Sequence, residues 1–154
     1  MKVYETENFV VEAPEKPHIS REDGGHLKIV PKERILDRTK LAPEKAKELM
    51  KLTMIVGEAM AIGMNYRGVD VGRINYQDMG NWTVFKPEGS YLHIHIYGRA
   101  KSAKVQKYGD AMKLPQRGTG FYDDFKPLNE EDAKEIQKQI EIVSKREKYQ
   151  EKNW

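Results

Sequence analysis

Two histidines one residue apart are the side chains best suited to chemistry in this sequence. In Tyr91-Leu92-His93-Ile94-His95-Ile96-Tyr97 ring-bearing and aliphatic residues alternate. A strand would send Leu92, Ile94 and Ile96 to one face and Tyr91, His93, His95 and Tyr97 to the other. The aliphatic face belongs to a core, which leaves the two imidazoles as neighbours on the opposite side. Imidazole is neutral near physiological pH, so each can act as a nucleophile, a base or a metal ligand. The chain has four histidines, and half of them lie here.

An ordinary reading places His93 and His95 on the solvated face of an antiparallel sheet. A metal reading needs further ligands, and only His18, His26 and scattered carboxylates are available, without an H-E-x-x-H helix or a zinc-type spacing. No metal and no cofactor are therefore expected, although a metal-binding β-domain built on His93, His95 and His26 remains an alternative. The residues that follow are cations, Arg99, Lys101 and Lys104, which favour an anionic ligand such as phosphate.

The elements that must hold these residues are legible in outline. Phe9 to Glu12 and Leu27 to Val30 are short β-favouring runs, separated by a segment containing Pro14, Pro17, Gly24 and Gly25. Pro31 ends the second run because it offers no backbone N–H to a ladder. From Pro43 to about Asn65 apolar residues recur at helical spacing, with Pro43 in the first turn and no capping side chain at Ala42. Leu52, Ile55 and Ile62 widen that apolar face, which predicts contact with a sheet and with a second copy of the chain.

Val71 to Tyr76, Trp82 to Lys86 and Leu92 to Tyr97 are three further strand candidates, and their short connections favour antiparallel pairing. After Arg99 a basic segment with Gly109, Pro115, Gly118 and Gly120 reads as loop wrapped over the domain. Asn129 then caps an acidic first turn ahead of Ala133, Ile136, Ile140 and Val143, spaced for one helical face. Beyond Ser144 the chain is polar until Trp154, which predicts a tail that frays or docks on a neighbour. The expectation is an α+β fold: an antiparallel sheet of about five strands, one long internal helix and a C-terminal helix. Residues 129–154 would complete the same single domain as 1–128.

At 154 residues, with 38% hydrophobic and 33% charged residues, the chain suits one globular domain. The net charge of +3, from 27 basic and 24 acidic residues, is too small to argue for nucleic acid by itself. The basic stretch Arg99 to Lys107 is not interleaved with stacking aromatics, and reads as a solvated loop rather than a nucleic-acid surface. The absence of cysteine excludes disulfides and thiolate chemistry and fits a reducing, cytoplasmic setting. No apolar run is long enough for a membrane span, and Met1 to Val10 does not resemble a secretory signal.

The segment Y-L-H-I-H-I-Y-G-R resembles the histidine triad family, whose signature is three histidines alternating with hydrophobic residues. Upstream, Gly25-His26-Leu27-Lys28-Ile29-Val30-Pro31-Lys32 is similar to that family's glycine-histidine strand, and Asn75 to its strand-end asparagine. The resemblance runs from about Phe9 to Arg99. It implies a nucleotide or nucleotide-like phosphate ester as substrate and a homodimer as the assembly. It also implies cleavage of a phosphoric ester, anhydride or phosphoramidate, with His93 attacking the α-phosphorus to form a covalent nucleotidyl-histidine. His95 would hold the phosphate or assist the leaving group, and Asn75, Ser90, His26, Ile19 and Lys86 would surround the substrate.

The sequence departs from that pattern in three places. Tyr91 replaces the first triad histidine. His18 falls near the position where many members carry an acidic residue that grips the ribose hydroxyls. The interval from Asn75 to His93, with Trp82, Phe85, Lys86 and Pro87, is longer than the usual glycine-rich turn. These departures keep open a second reading, a nucleotide-binding regulator without turnover, which measured hydrolysis would separate from an enzyme.

Overall fold

The computed structural model describes residues 1–154. Its strands are β1 (Lys2–Glu5), β2 (Phe9–Glu12), β3 (His26–Pro31), β4 (Val71–Asp78) and β5 (Ile94–Ala100). They form one antiparallel sheet in the order β1-β2-β3-β5-β4, and two helices, α1 (Pro43–Tyr66) and α2 (Glu130–Ser144), complete an α+β fold. No helix is long and apolar enough to cross a membrane.

β5 lies between β3 and β4, and its alternation separates two environments. Leu27 faces Ile96 and Ile29 faces Ile94 across the β3–β5 ladder, and all four are buried in the core with Val11 and Phe9. On the other side His26 faces Tyr97 and Lys28 faces His95, while Asn75 and Gln77 of β4 face Tyr97 and His95. This second face is not solvated. Residues from the 101–126 segment and from the loop before β5 cover it, so that His95 is 5% and His26 2% exposed.

Two expected features differ. The run Trp82 to Lys86 is not a strand: it forms a 3-10 turn, Asn81–Thr83, and further turns up to Gly89. The cause is local hydrogen bonding, because Thr83 and Ser90 both donate their hydroxyls to the Gly80 carbonyl and fold the segment on itself. The fifth strand is instead β1, a four-residue edge piece in which Val3 reaches the core.

α1 buries Leu49, Leu52, Ile55, Val56, Ala59, Met60 and Met64. Its apolar face is shared between the sheet and α2, whose Ile136, Ile140 and Val143 are fully buried; each such side chain contributes about 1.5–3 kcal/mol. Asn129 and Asp132 cap α2 reciprocally, at 2.9 and 3.1 Å. Asp132 also receives Arg21 and Arg67, at 2.6 and 3.1 Å. The tail neither frays nor projects. Tyr149 is buried and donates to Glu58, Lys148 pairs with Glu58 and Lys51 with Glu151, and Trp154 packs on the core.

Gly24 and Gly98 set the distance between the Arg21–Asp23 turn and β5. A Cβ on Gly98 would lie 2.2 Å from the Gly24 carbonyl oxygen, and Gly24 itself has φ +129°. Only glycine permits that crossing, which delivers His18 and His26 to the β5 face.

Candidate active site

All four histidines converge beside β5. His93 and His95 have ring centroids 4.6 Å apart, His26 and His95 5.0 Å, His18 and His26 5.0 Å, and His18 and His95 5.1 Å. They line a cavity of about 390 Å³ whose walls include Trp82, Tyr91, Met79 and Leu114. Tyr97 is fully buried against this cluster and stacks on His95 with the rings 7° from parallel.

The hydrogen bonds assign the protons. The backbone N–H of His18 donates to His26 Nδ1 at 3.1 Å, so that nitrogen carries a lone pair and the proton of a neutral His26 sits on Nε2. That Nε2–H points at His95 Nδ1, 2.9 Å away, and donates to it. His95 must then carry its own proton on Nε2. At His93 the sense is reversed: Nδ1 lies 2.9 Å from the Tyr91 carbonyl oxygen, an acceptor only, so Nδ1 bears the proton and Nε2 a free lone pair. Neither the His93 nor the His95 Nε2 has a protein partner, and neither is sealed from solvent. The cavity thus holds a lone pair and an N–H donor side by side.

Burial keeps these rings neutral. Desolvation pushes the His95 pKa down to about 2 and that of His18 to about 4, and holds His26 well below the usual histidine value. His93 is lowered as well, chiefly by burial, with the Tyr91 carbonyl opposing the shift. Burial raises the Tyr97 phenol and keeps it protonated; its hydroxyl lies 2.8 Å from His18 Nδ1.

The charged side chains lining the cavity are Lys16, Lys28 and Arg117. Lys28 pairs with Glu12 at 2.8 Å. Arg117 donates to the Lys16 carbonyl and lies over the Tyr122 ring, 5.3 Å from its centroid. A ligand atom of each of His18, His26 and His95 lies within 4.8 Å of the others, as a metal site requires. The proton pattern opposes that use: a metal on His26 Nε2 would move the ring proton to Nδ1, against the His18 N–H.

The residues expected around a substrate separate into two groups. His93, His95 and His26 line the cavity, and so does Tyr91, which was not among them and whose ring packs on that of His93 at 4.9 Å. The others stand elsewhere. Asn75 accepts from Arg99 at 2.9 Å and lines a separate depression with Arg73 and Tyr108. Ile19 is fully buried, so its side chain is out of reach of a ligand. Ser90 holds the Gly80 turn, and Lys86 projects into solvent away from the cavity.

Arg99, read from the sequence as a solvated cation, is 5% exposed. Besides Asn75 it donates to the Lys107 and Asp110 carbonyls, at 2.7 and 3.0 Å. Sequence reasoning placed His18 near the substrate through the resemblance alone and missed Lys16 and Arg117 as wall residues, because all three lie on irregular segments with no periodicity to orient them.

No protein-family model and no curated protein matches the chain. Solved structures do. A hypothetical histidine triad nucleotide-binding protein from Sulfolobus tokodaii superposes with a TM-score of 0.60 at 18% identity, over 99% of this chain and 90% of that one. A zinc-bound histidine triad family protein from Mycobacterium smegmatis gives 0.59 at 17% identity, over 93% and 85%. A Hit-like protein involved in cell-cycle regulation from Bartonella henselae gives 0.58 at 17% identity, over 90% and 85%. The five-stranded antiparallel sheet with its two helices is the fold of histidine triad proteins.

Proposed function

We propose that the protein is a nucleotide hydrolase that cleaves a phosphoric ester, anhydride or phosphoramidate at the α-phosphate through a covalent nucleotidyl-His93. The observation that carries this reading is the 2.9 Å contact of His93 Nδ1 with the Tyr91 carbonyl. It fixes the tautomer in which Nε2 offers its lone pair to the cavity. His95 Nε2–H, beside it, is a donor for a non-bridging phosphate oxygen. Lys16, Lys28 and Arg117 supply the positive field an anionic substrate needs.

In the first step the Nε2 lone pair forms a bond to phosphorus while the bond to the leaving group breaks. In the second, water adds to phosphorus and the electron pair of the P–N bond returns to Nε2. Acid-stable trapping is not expected of a phosphorus–nitrogen bond, so the test is intact-protein mass spectrometry after rapid mixing with substrate at neutral pH. One nucleotidyl group should appear on the wild type and none on His93→Ala. Substrate consumption without an adduct, and unchanged in His93→Ala, would sink the assignment.

A homodimer belongs to the same reading. Met50, Met54 and Tyr76 are 54%, 40% and 47% exposed, and they line one apolar groove between α1 and the edge strand β4. Light scattering at micromolar concentration should give twice the chain mass; a monomer mass removes this part alone.

A further inference from the structure

We propose that the depression between Arg73 and Arg99 is an oxyanion-binding site, separate from the histidine cavity and independent of the hydrolase reading.

The first argument is an opposition of like charges. Arg73 and Arg99 face each other across the β4–β5 ladder, so their Cβ atoms stand about 5 Å apart on one face of the sheet. Two cations in that relation repel each other unless an anion lies between them. Neither forms an ion pair. Both line a depression of about 540 Å³, whose one carboxylate, that of Asp110, pairs with neither of them.

The second argument is the burial of one of the two charges. Arg73 is exposed and has water to solvate it, whereas Arg99 is buried. The acceptors of Arg99 are the Asn75 side-chain oxygen and the carbonyls of Gln106, Lys107 and Asp110, all of them neutral. Its Nε–H has no acceptor at all. A buried charge is ordinarily matched by an opposite one. The same wall holds a second polar atom without a partner, Gln77 Oε1, and half a turn of that amide would offer its NH2 group instead.

The third argument is the shape of the strand beside Arg73. The register shifts between Val71 and Arg73, which makes Gly72 the extra residue of a bulge. A Cβ on Gly72 would lie 2.9 Å from Lys101 Cε and 3.0 Å from the Tyr108 hydroxyl. The bare glycine therefore admits a third cation and a hydroxyl donor next to the two guanidinium groups. No residue of this depression lines the histidine cavity. Guanidinium forks match phosphate and carboxylate oxygens alike, so the ligand class is an oxyanion and its two sources are separated by the test.

Inorganic phosphate and acetate are titrated into the full chain at constant ionic strength, while NMR follows the Arg99 Nε–H and the histidine ring nitrogens. At least one anion should move the Arg99 signal saturably, and the tighter of the two identifies the source. Arg73→Ala should weaken that response by at least about 10-fold, while any response of the His93 and His95 rings stays as in wild type. Arg73→Glu places a carboxylate opposite Arg99. Its melting temperature in anion-free buffer should exceed that of wild type, and its Arg99 signal should no longer respond. An Arg99 signal indifferent to both anions, or a response kept in full by Arg73→Ala, overturns the site. A melting temperature of Arg73→Glu at or below that of wild type overturns the charge opposition on which it rests. Each of these failures leaves the hydrolase reading intact, because that reading is decided by the adduct on His93.

Discussion

His26 Nε2 lies 2.9 Å from His95 Nδ1 and donates to it, because the His18 backbone N–H occupies the other nitrogen of His26. One backbone amide on an irregular segment therefore decides which face of a strand imidazole presents a proton to the cavity. His26 is a positioning residue by this argument, since it acts on the substrate only through His95.

Replacing His26 should separate this role from simple packing. His26→Ala removes the donor that fixes the His95 tautomer, and activity should fall by about 10²-fold. His26→Gln retains an amide N–H for His95 Nδ1 and should recover most of the loss. Nitrogen-15 NMR of the imidazoles should find His95 protonated at Nε2 in wild type and in His26→Gln, and mixed in His26→Ala. An unchanged spectrum in His26→Ala would remove the relay.

His93→Ala and His95→Ala should differ in two ways. Without His93 no phosphorus–nitrogen bond forms, and turnover should vanish. Without His95 a donor to the phosphate is lost, at about 10²–10³-fold in kcat. His95→Ala also leaves the buried Nε2–H of His26 without an acceptor, which destabilises the fold by about 1–3 kcal/mol. His93 lies just outside β5 and donates only to a local carbonyl, so its removal should leave the unfolding free energy from urea titration within about 0.5 kcal/mol of wild type. Similar midpoints for the two variants would contradict the proton assignment.

Acid should weaken the fold before it reaches the carboxylates. In the folded chain burial holds His18, His26 and His95 below the ordinary value of 6.5, His18 to about 4. In the unfolded chain they titrate near 6.5, so between these values the unfolded state binds more protons and stability increases with pH. The contribution is complete above about pH 6.5 and is lost as the pH falls from there toward 4. The urea midpoint should accordingly be lower at pH 5 than at pH 7. Activity should survive mild acid, because burial also lowers His93 and keeps its lone pair available below the usual histidine range. A pH–rate profile for kcat/KM with an acid limb above 6.5 would contradict that shift.

Gly98→Ala tests the crossing that aligns the cluster. The new methyl would lie 2.2 Å from the Gly24 carbonyl oxygen, a backbone atom with no freedom to withdraw. We expect a loss of about 1–3 kcal/mol, read as a lowered melting temperature. An unchanged melting temperature would mean that the turn can move.

What the sequence revealed follows from the range of the forces involved. Alternation along a strand is local, so Ile94 and Ile96 against His95 and Tyr97 were legible at once, as were the Asn129 cap and the Ile136, Ile140, Val143 stripe. The run Trp82 to Lys86 misled because its β-favouring side chains are outweighed by the Gly80 carbonyl, on which Thr83 and Ser90 both close. Lys2–Glu5 is too short and too charged to announce a strand, and it becomes one by pairing with β2. His18, Lys16 and Arg117 reach the site through contacts between segments some 80 to 100 residues apart, such as the Arg117 bond to the Lys16 carbonyl. No periodicity encodes those.

The clamp on the covering segment has a consequence for how this architecture can diversify. The Asp23 carboxylate accepts the backbone N–H groups of Lys104, Val105 and Gln106, at 2.8, 3.0 and 2.7 Å. The Gln106 side chain in turn grips Lys113 at both its N–H and its carbonyl, at 3.0 and 2.8 Å. Further along, the Tyr122 hydroxyl closes on the Pro115 carbonyl at 2.8 Å. The stretch bearing Arg117 is therefore anchored on both sides by bonds that do not involve its own side chains. Residues 116–121 thus hold their path through partners outside the stretch, so replacing their side chains leaves these anchors, and the imidazole lattice beneath, in place.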